Sequence, residues 1–154
     1  HSRGLQVAFN PSPMPQDLQT YPLDLVDLFL LNRGEAARLA GREGSPQALL
    51  DHLRQTYPGA SLVLTLGSQG VLYRDARQTL CHAAYPTQAV DTTGAGDTFC
   101  GYFLAASLQG RPVADGLALA SMAASIAISR PGAAPSIPVL EEVLRALSRQ
   151  GTSL

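Results

Sequence analysis

The sequence contains no lysine; all eleven of its cations are arginines. That absence excludes a Walker-type phosphate loop, a Schiff-base mechanism and a lysine general base. Positive charge is not in surplus either. Eleven Arg against twelve Asp plus Glu leave a net charge of −1, whereas a nucleic-acid binder carries a basic excess to neutralise phosphates. Two cysteines, Cys81 and Cys100, are too few for a disulfide scaffold in 154 residues and point to a reducing compartment. No apolar run approaches the roughly 20 residues that span a bilayer. The start, His1-Ser2-Arg3-Gly4, leads into a strand-like run rather than a signal peptide. His1, His52 and His82 have no metal-ligand spacing, which argues against zinc. The expectation is a cytoplasmic globular chain with no nucleic-acid partner and no membrane partner.

What is present is enough for a core: hydrophobic residues make up 45% and charged residues 15%, too little charge for a disordered tail. Leu5–Phe9 reads as a buried strand, stopped by Asn10-Pro11-Ser12-Pro13. Because residue 1 is not Met and this strand reads as mid-fold, the chain is expected to be a piece of a longer one. Val26–Leu31 and Ser61–Leu66 are continuous apolar strands. Between them lie a helix over 35–40 ended by Gly41 and a second one opened by Ser45-Pro46, with Leu49, Leu50 and Leu53 on its buried face. Gly67-Ser68-Gln69-Gly70 before Val71–Arg74 predicts a hairpin. Three more helices are expected, from about Asp97, from Pro112 to Ser129 and from Pro138 to Arg149. Near-continuous apolar strands alternating with helices predict an α/β domain whose mostly parallel sheet is covered on both faces.

Chemistry concentrates in Val90-Asp91-Thr92-Thr93-Gly94-Ala95-Gly96-Asp97-Thr98-Phe99. Small residues at 94–96 allow a sharp turn whose N–H groups meet the positive end of a helix, an anion site that needs no lysine. An aspartate there repels an anion. It makes sense as a base that takes a proton from a nucleophile attacking a phosphate, while the helix holds the developing charge. Taken alone, the plainer reading is a tight turn with Asp97 as a helix cap. Asn32 and Glu35, three apart, likewise suit a capping pair, Thr65 and Gly67–Gly70 a simple hairpin turn, and Asp91 a turn cap.

The full string Asp-Thr-Thr-Gly-Ala-Gly-Asp-Thr-Phe resembles the C-terminal signature of the ribokinase-like sugar kinases, the phosphofructokinase B family. Further segments match in order: Asn10-Pro11-Ser12-Pro13, Asn32-Arg33-Gly34-Glu35, Thr65-Leu66-Gly67-Ser68-Gln69-Gly70, and Arg130-Pro131-Gly132-Ala133 with Ser136 and Pro138. The resemblance implies the C-terminal, nucleotide-binding portion of a three-layer α/β/α fold, residues 1–154, without the family's sugar-binding half and lid. It implies an ATP-dependent carbohydrate kinase in which Asp97 is the base and Gly94, Ala95 and Gly96 stabilise the transferring phosphoryl group. Asn32, Thr65, Gly67, Ser68 and Gly70 would contact the nucleotide, with Val90 against the adenine. Asn32 and Glu35 would organise Mg2+ and its waters. A K+ site would draw on Asp91, on carbonyls of Thr93, Ala127, Arg130 and Gly132, and on the Ser136 hydroxyl. Pro131 replaces the basic residue more frequent at that place. The partners implied are ATP and a small sugar, with a homodimer for the complete protein. Ribose, fructose, a fructose phosphate, a deoxygluconate and a nucleoside all stay open as the acceptor.

Two other classes were weighed. A dinucleotide-binding module fails on spacing, since Phe99 occupies the third glycine position of a G-x-G-x-x-G turn. A non-catalytic nucleotide-binding or regulatory module of the same fold is the alternative; Asp97 together with an intact Gly-Ala-Gly speaks against it.

Overall fold

The computed structural model describes residues 3–152, leaving His1 and Ser2 outside. Five strands and five α-helices follow one another as β1 (Ala8–Phe9), β2 (Leu28–Asn32), α1 (Arg33–Ala40), α2 (Pro46–Thr56), β3 (Ser61–Thr65), β4 (Val71–Arg74), β5 (Thr79–His82), α3 (Ala95–Leu108), α4 (Val113–Ile128) and α5 (Leu140–Arg149). The strands form one sheet in the order β1-β2-β3-β4-β5. β1, β2 and β3 run parallel, while β3 and β4 are the antiparallel hairpin that the two turn glycines predict. The described chain groups into two compact units, residues up to 66 with 71–81, and residues 67–70 with those from 82 onward.

In the first unit, apolar density dictates the two central strands. Phe29, Leu31, Leu62 and Leu64 face one side and join Ala36, Leu49, Leu50 and Leu53 of the two helices in one buried cluster. Leu30 and Val63, pointing the other way, are also buried, so both faces of β2 and β3 are covered, as continuous apolar runs require. Helix α1 stops at Gly41, whose φ of 62° reverses the chain. The Ser45 hydroxyl accepts the Ala48 N–H to cap α2.

Three boundaries differ from the sequence reading. The first strand shrinks to Ala8–Phe9 because Val7 bonds outside a regular ladder: its carbonyl accepts both the Asp27 and Leu28 N–H groups, and its own N–H goes to the Asp27 carboxylate. The second starts at Leu28 because Leu23–Leu25 close a 3-10 turn that takes up the Val26 N–H. Strand β5 was not expected at all. Its four residues lack apolar density, and its turn is made by Asp75, whose Oδ1 accepts the N–H groups of Arg77 and Gln78. Burial pushes the Asp75 carboxyl up, but those two N–H groups and the Tyr73 hydroxyl outweigh it, so the pKa ends below 3.8.

The second unit is helical. Small residues let α3 and α4 approach closely: a Cβ on Gly116 would touch Ala106 and the Phe103 ring at 3.5 Å. Ala118, Leu119, Met122 and Ala123 of α4 share a buried cluster with Val143 and Leu147 of α5. Helix α3 begins two residues before Asp97, at Ala95, because Gly94 serves as its N-cap in the left-handed conformation, φ 76°.

The centre of the sheet should carry much of the stability of the first unit. Leu62 is fully buried and Leu108 is 84% exposed. Leu62→Ala is expected to lower unfolding free energy in urea by about 2–5 kcal/mol, and Leu108→Ala by no more than about 0.5 kcal/mol. Equal effects would contradict this core assignment.

Candidate active site

In the first unit the sheet delivers two candidate residues to one edge. Asn32 ends β2, Thr65 ends β3, and the two are register partners. Both therefore stand at the carboxyl ends of neighbouring parallel strands, the edge at which open α/β sheets receive ligands. The Thr65 hydroxyl donates to the Leu31 carbonyl at 3.3 Å. Asn32 and Glu35 form a reciprocal capping box: Oδ1 of Asn32 accepts the Glu35 N–H at 2.9 Å, and Oε2 of Glu35 accepts the Asn32 N–H at 2.8 Å. That box uses one polar atom of each side chain. The Asn32 amide NH2 and the second Glu35 oxygen are the groups left for a ligand. Asn32 is exposed while Glu35 is buried, so the amide is the more accessible of the two.

In the second unit the remaining candidates converge on the start of α3. The N–H groups of Val90 and Asp91 both donate to the Ile128 carbonyl, at 2.7 and 3.1 Å, which lays this segment on the C-terminal end of α4. Val90 keeps an apolar side chain 63% exposed. The carboxylate of Asp91 then accepts the N–H of Thr93 on Oδ1 and the N–H of Gly132 on Oδ2, each at 2.9 Å. The Thr93 hydroxyl and N–H, followed by the Gly132 N–H, hold the Asp91 carboxyl below its ordinary 3.8. Gly94 follows with positive φ, and a Cβ there would sit 3.4 Å from the Ala133 Cβ.

Of the N–H groups expected to face an anion, that of Ala95 turns back to the Thr92 carbonyl at 3.2 Å. Those of Gly96 and Asp97, the second and third helical residues, have no intrahelical acceptor, and no side chain caps the helix. The cap position belongs to Gly94, not to Asp97. The Asp97 side chain is exposed, in the first turn of an open helix end.

Loop 129–139 completes the cluster. Ala127, at the end of α4, has its carbonyl engaged by the N–H groups of Ser129 and Arg130. Ser136 is fully buried and its hydroxyl donates to the Ala133 carbonyl at 2.7 Å. The Arg130 side chain, which no sequence signal placed, pairs with Glu142, and the Tyr102 hydroxyl donates to the Pro138 carbonyl at 2.6 Å. Both partnerships join residues more than ten apart in sequence, beyond the reach of a local pattern. Beside Asp97 opens a cavity of about 350 Å³, walled by Tyr102, Ala105, Leu119, Ile137 and Leu140 among others. Its lining is largely apolar, whereas a sugar needs convergent hydrogen-bonding groups.

The turn Gly67–Gly70 has its own structural reason for glycine. The Gly70 N–H donates to the Gly67 carbonyl at 3.0 Å. Its φ is 94°, and a Cβ would fall 2.1 Å from the His82 carbonyl oxygen, so no side chain fits.

A family pattern described as pfkB family carbohydrate kinase matches residues 1–140. The chain belongs to the pfkB carbohydrate kinase family. It is 37% identical to a ribokinase of Schizosaccharomyces pombe over 153 residues, covering 93% of this chain and 47% of that protein. Among solved structures it superposes on Arabidopsis thaliana ribokinase complexed with ribose and ATP, with a TM-score of 0.76 and 31% identity, over 81% of this chain and 42% of that one. A ribokinase from Cryptococcus neoformans in complex with ADP gives a TM-score of 0.82 and 28% identity, over 96% and 54%. The pfkB chain thus has the ribokinase-like α/β fold expected of it and spans about half the length of the relatives it matches. Among the described residues no helix is long and apolar enough to cross a membrane.

The lowered pKa of Asp91 sets the sign of a pH effect. A carboxyl whose folded pKa lies below its unfolded value adds stability at neutral pH, and that contribution fades as pH falls below the ordinary 3.8 toward the folded value. The thermal midpoint of the wild-type chain should therefore exceed that of Asp91→Asn at pH 7, and the gap should narrow by pH 3. A gap that is constant or widens on acidification would refute the clasp as an ionised one.

Proposed function

We propose that this chain is the nucleotide-binding and catalytic part of an ATP-dependent sugar kinase, the sugar grip and lid belonging to the portion of its relatives' length that it does not match. The observation that carries this reading is the open N-terminus of α3 behind left-handed Gly94, with an exposed carboxylate, Asp97, in its first turn. Two of the relatives are described with ADP, or with ribose and ATP.

In this reading Asp97 accepts the proton of the acceptor hydroxyl as that oxygen attacks the terminal phosphorus of ATP. The N–H groups at the Gly94–Ala95–Gly96 turn, chiefly those of Gly96 and Asp97, stabilise charge on the transferring group, where positioning and electrostatics supply most of the rate. Asn32, Thr65, Gly67, Ser68 and Gly70 hold the nucleotide, and Val90 offers its apolar side chain to the base. Mg2+, when bound through the phosphates, neutralises their charge; a single buried carboxylate, Glu35, suits a cation that keeps most of its waters. The donor set for K+, one carboxylate from Asp91 among backbone carbonyls of Thr93, Ala127, Arg130 and Gly132 and the Ser136 oxygen, is all oxygen and singly charged, which matches a monovalent cation. The acceptor is a small sugar, with ribose favoured by the relatives' names. The site acts in the cytoplasm under this reading, in a protein that pairs as a homodimer. A non-catalytic nucleotide-binding module is the alternative that the following measurement separates.

The 154 residues alone should release no ADP with any of a panel of sugars in the presence of ATP, Mg2+ and K+, because in-line orientation worth about 7–11 kcal/mol is missing. In an enzyme extended to the relatives' full length, Asp97→Asn should lower turnover by about 10²–10⁴ while nucleotide affinity stays within a few-fold. Turnover near the parent's would sink the base assignment; a full-length enzyme silent on every sugar would favour the non-catalytic module. Replacing Na+ by K+ at matched ionic strength should raise that enzyme's rate, and Asp91→Ala should abolish the difference. Equal rates in both salts would remove the cation from the mechanism.

A further inference from the structure

The loop that touches the anion turn is pinned at both ends. At its start the Arg130 guanidinium forms a two-pronged pair with the Glu142 carboxylate of α5. At its end the Pro138 carbonyl accepts the Tyr102 hydroxyl at 2.6 Å. Between the pins, the Gly132 N–H reaches Asp91 and Ala133 packs on Gly94. Tyr102 sits on α3, the helix whose first turn holds Asp97. Its hydroxyl therefore ties the far end of the loop to the element that carries the anion turn.

We propose that Tyr102 is a positioning residue whose hydroxyl, by gripping the Pro138 carbonyl, registers loop 129–139 against α3 so that Gly132 and Ala133 meet Asp91 and Gly94. Its consequence for ligand binding rests on the phosphate role proposed for the turn; the positioning itself does not. Pro138 is buried and, as a proline, offers only its carbonyl for a backbone hydrogen bond. Burial, helped by the charge of Glu142, pushes the Tyr102 phenol up, so the hydroxyl keeps its proton at neutral pH. The ring packs against the α4–α5 cluster, which Phe would preserve. Tyr102→Phe thus isolates the hydroxyl.

The test is residue-resolved amide exchange on the 154-residue chain. In Tyr102→Phe, exchange at Gly132 should quicken about three- to tenfold, the loss of one net hydrogen bond, while Leu119 and Ala123 in α4 keep their wild-type rates. Glu142→Gln, which leaves the Tyr102 bond intact, should also quicken Gly132, and the double variant should be non-additive because the two pins hold one loop. An unchanged Gly132 rate in Tyr102→Phe, or an equal acceleration throughout α4, would overturn the proposal in favour of a packing role. Titration with inorganic pyrophosphate runs in parallel. Weaker binding to Tyr102→Phe by a similar factor supports the link to the turn; a wild-type chain that binds none overturns the phosphate role, while the exchange rates still decide the positioning one.

Discussion

The Asp91 carboxylate joins two segments separated by 41 residues, with one oxygen on Thr93 and the other on Gly132. Hydrogen bonds from backbone N–H to an ionised carboxylate are about twice as strong as neutral ones. Here they fix the entry to the anion turn and the loop behind it with a single side chain. Everything downstream depends on that clasp: Gly94 can turn left-handed against Ala133 only because the loop bearing Ala133 is held, and α3 starts where Gly94 releases it. The short strap of Val90 and Asp91 on the Ile128 carbonyl supports the clasp from the α4 side.

Three helix starts in one chain show how differently the same problem is solved. Helix α1 closes its end with a reciprocal Asn32–Glu35 box and α2 with the Ser45 hydroxyl. Helix α3 has glycine at the cap and no side chain over its first N–H groups. A missing polar cap costs about 0.5–2 kcal/mol, yet it leaves donors and the positive end of the helix dipole open to an anion. The stability lost at that end is the condition for binding there. Asp97 adds to the imbalance in the opposite sense, placing one negative group beside the donors.

Sequence patterns resolved the parts of this molecule that are governed by local chemistry. β2 and β3 were legible because both faces are buried and the apolar run is unbroken, and α2 because Ser45, Pro46 and three leucines mark its start and its face. The Asn-x-x-Glu spacing announced the capping box, and the same spacing that builds the box also places an amide at the strand edge, so one signal carried two meanings. Strand β5 was invisible because four residues with two exposed positions have no periodicity to read. The start of α3 was displaced because a glycine cap leaves no side-chain mark. Engagement of Ala95 by Thr92, and the pins Tyr102–Pro138 and Arg130–Glu142, depend on how distant segments meet, which no spacing encodes.

The register pairing of Asn32 with Thr65 has a metric consequence. Adjacent strands lie about 4.8 Å apart, so the separation between these two backbones is set by the hydrogen-bond ladder and not by either side chain or by the helices that follow. The sheet works as a ruler with a fixed graduation. Helices α1 and α2 can be repacked, shortened or recomposed, and stability will change, but the interval at that edge stays at one rung. Divergence along this lineage is therefore free to exchange what stands on the two rungs, and with it what is recognised, without having to re-establish how far apart the recognising groups are.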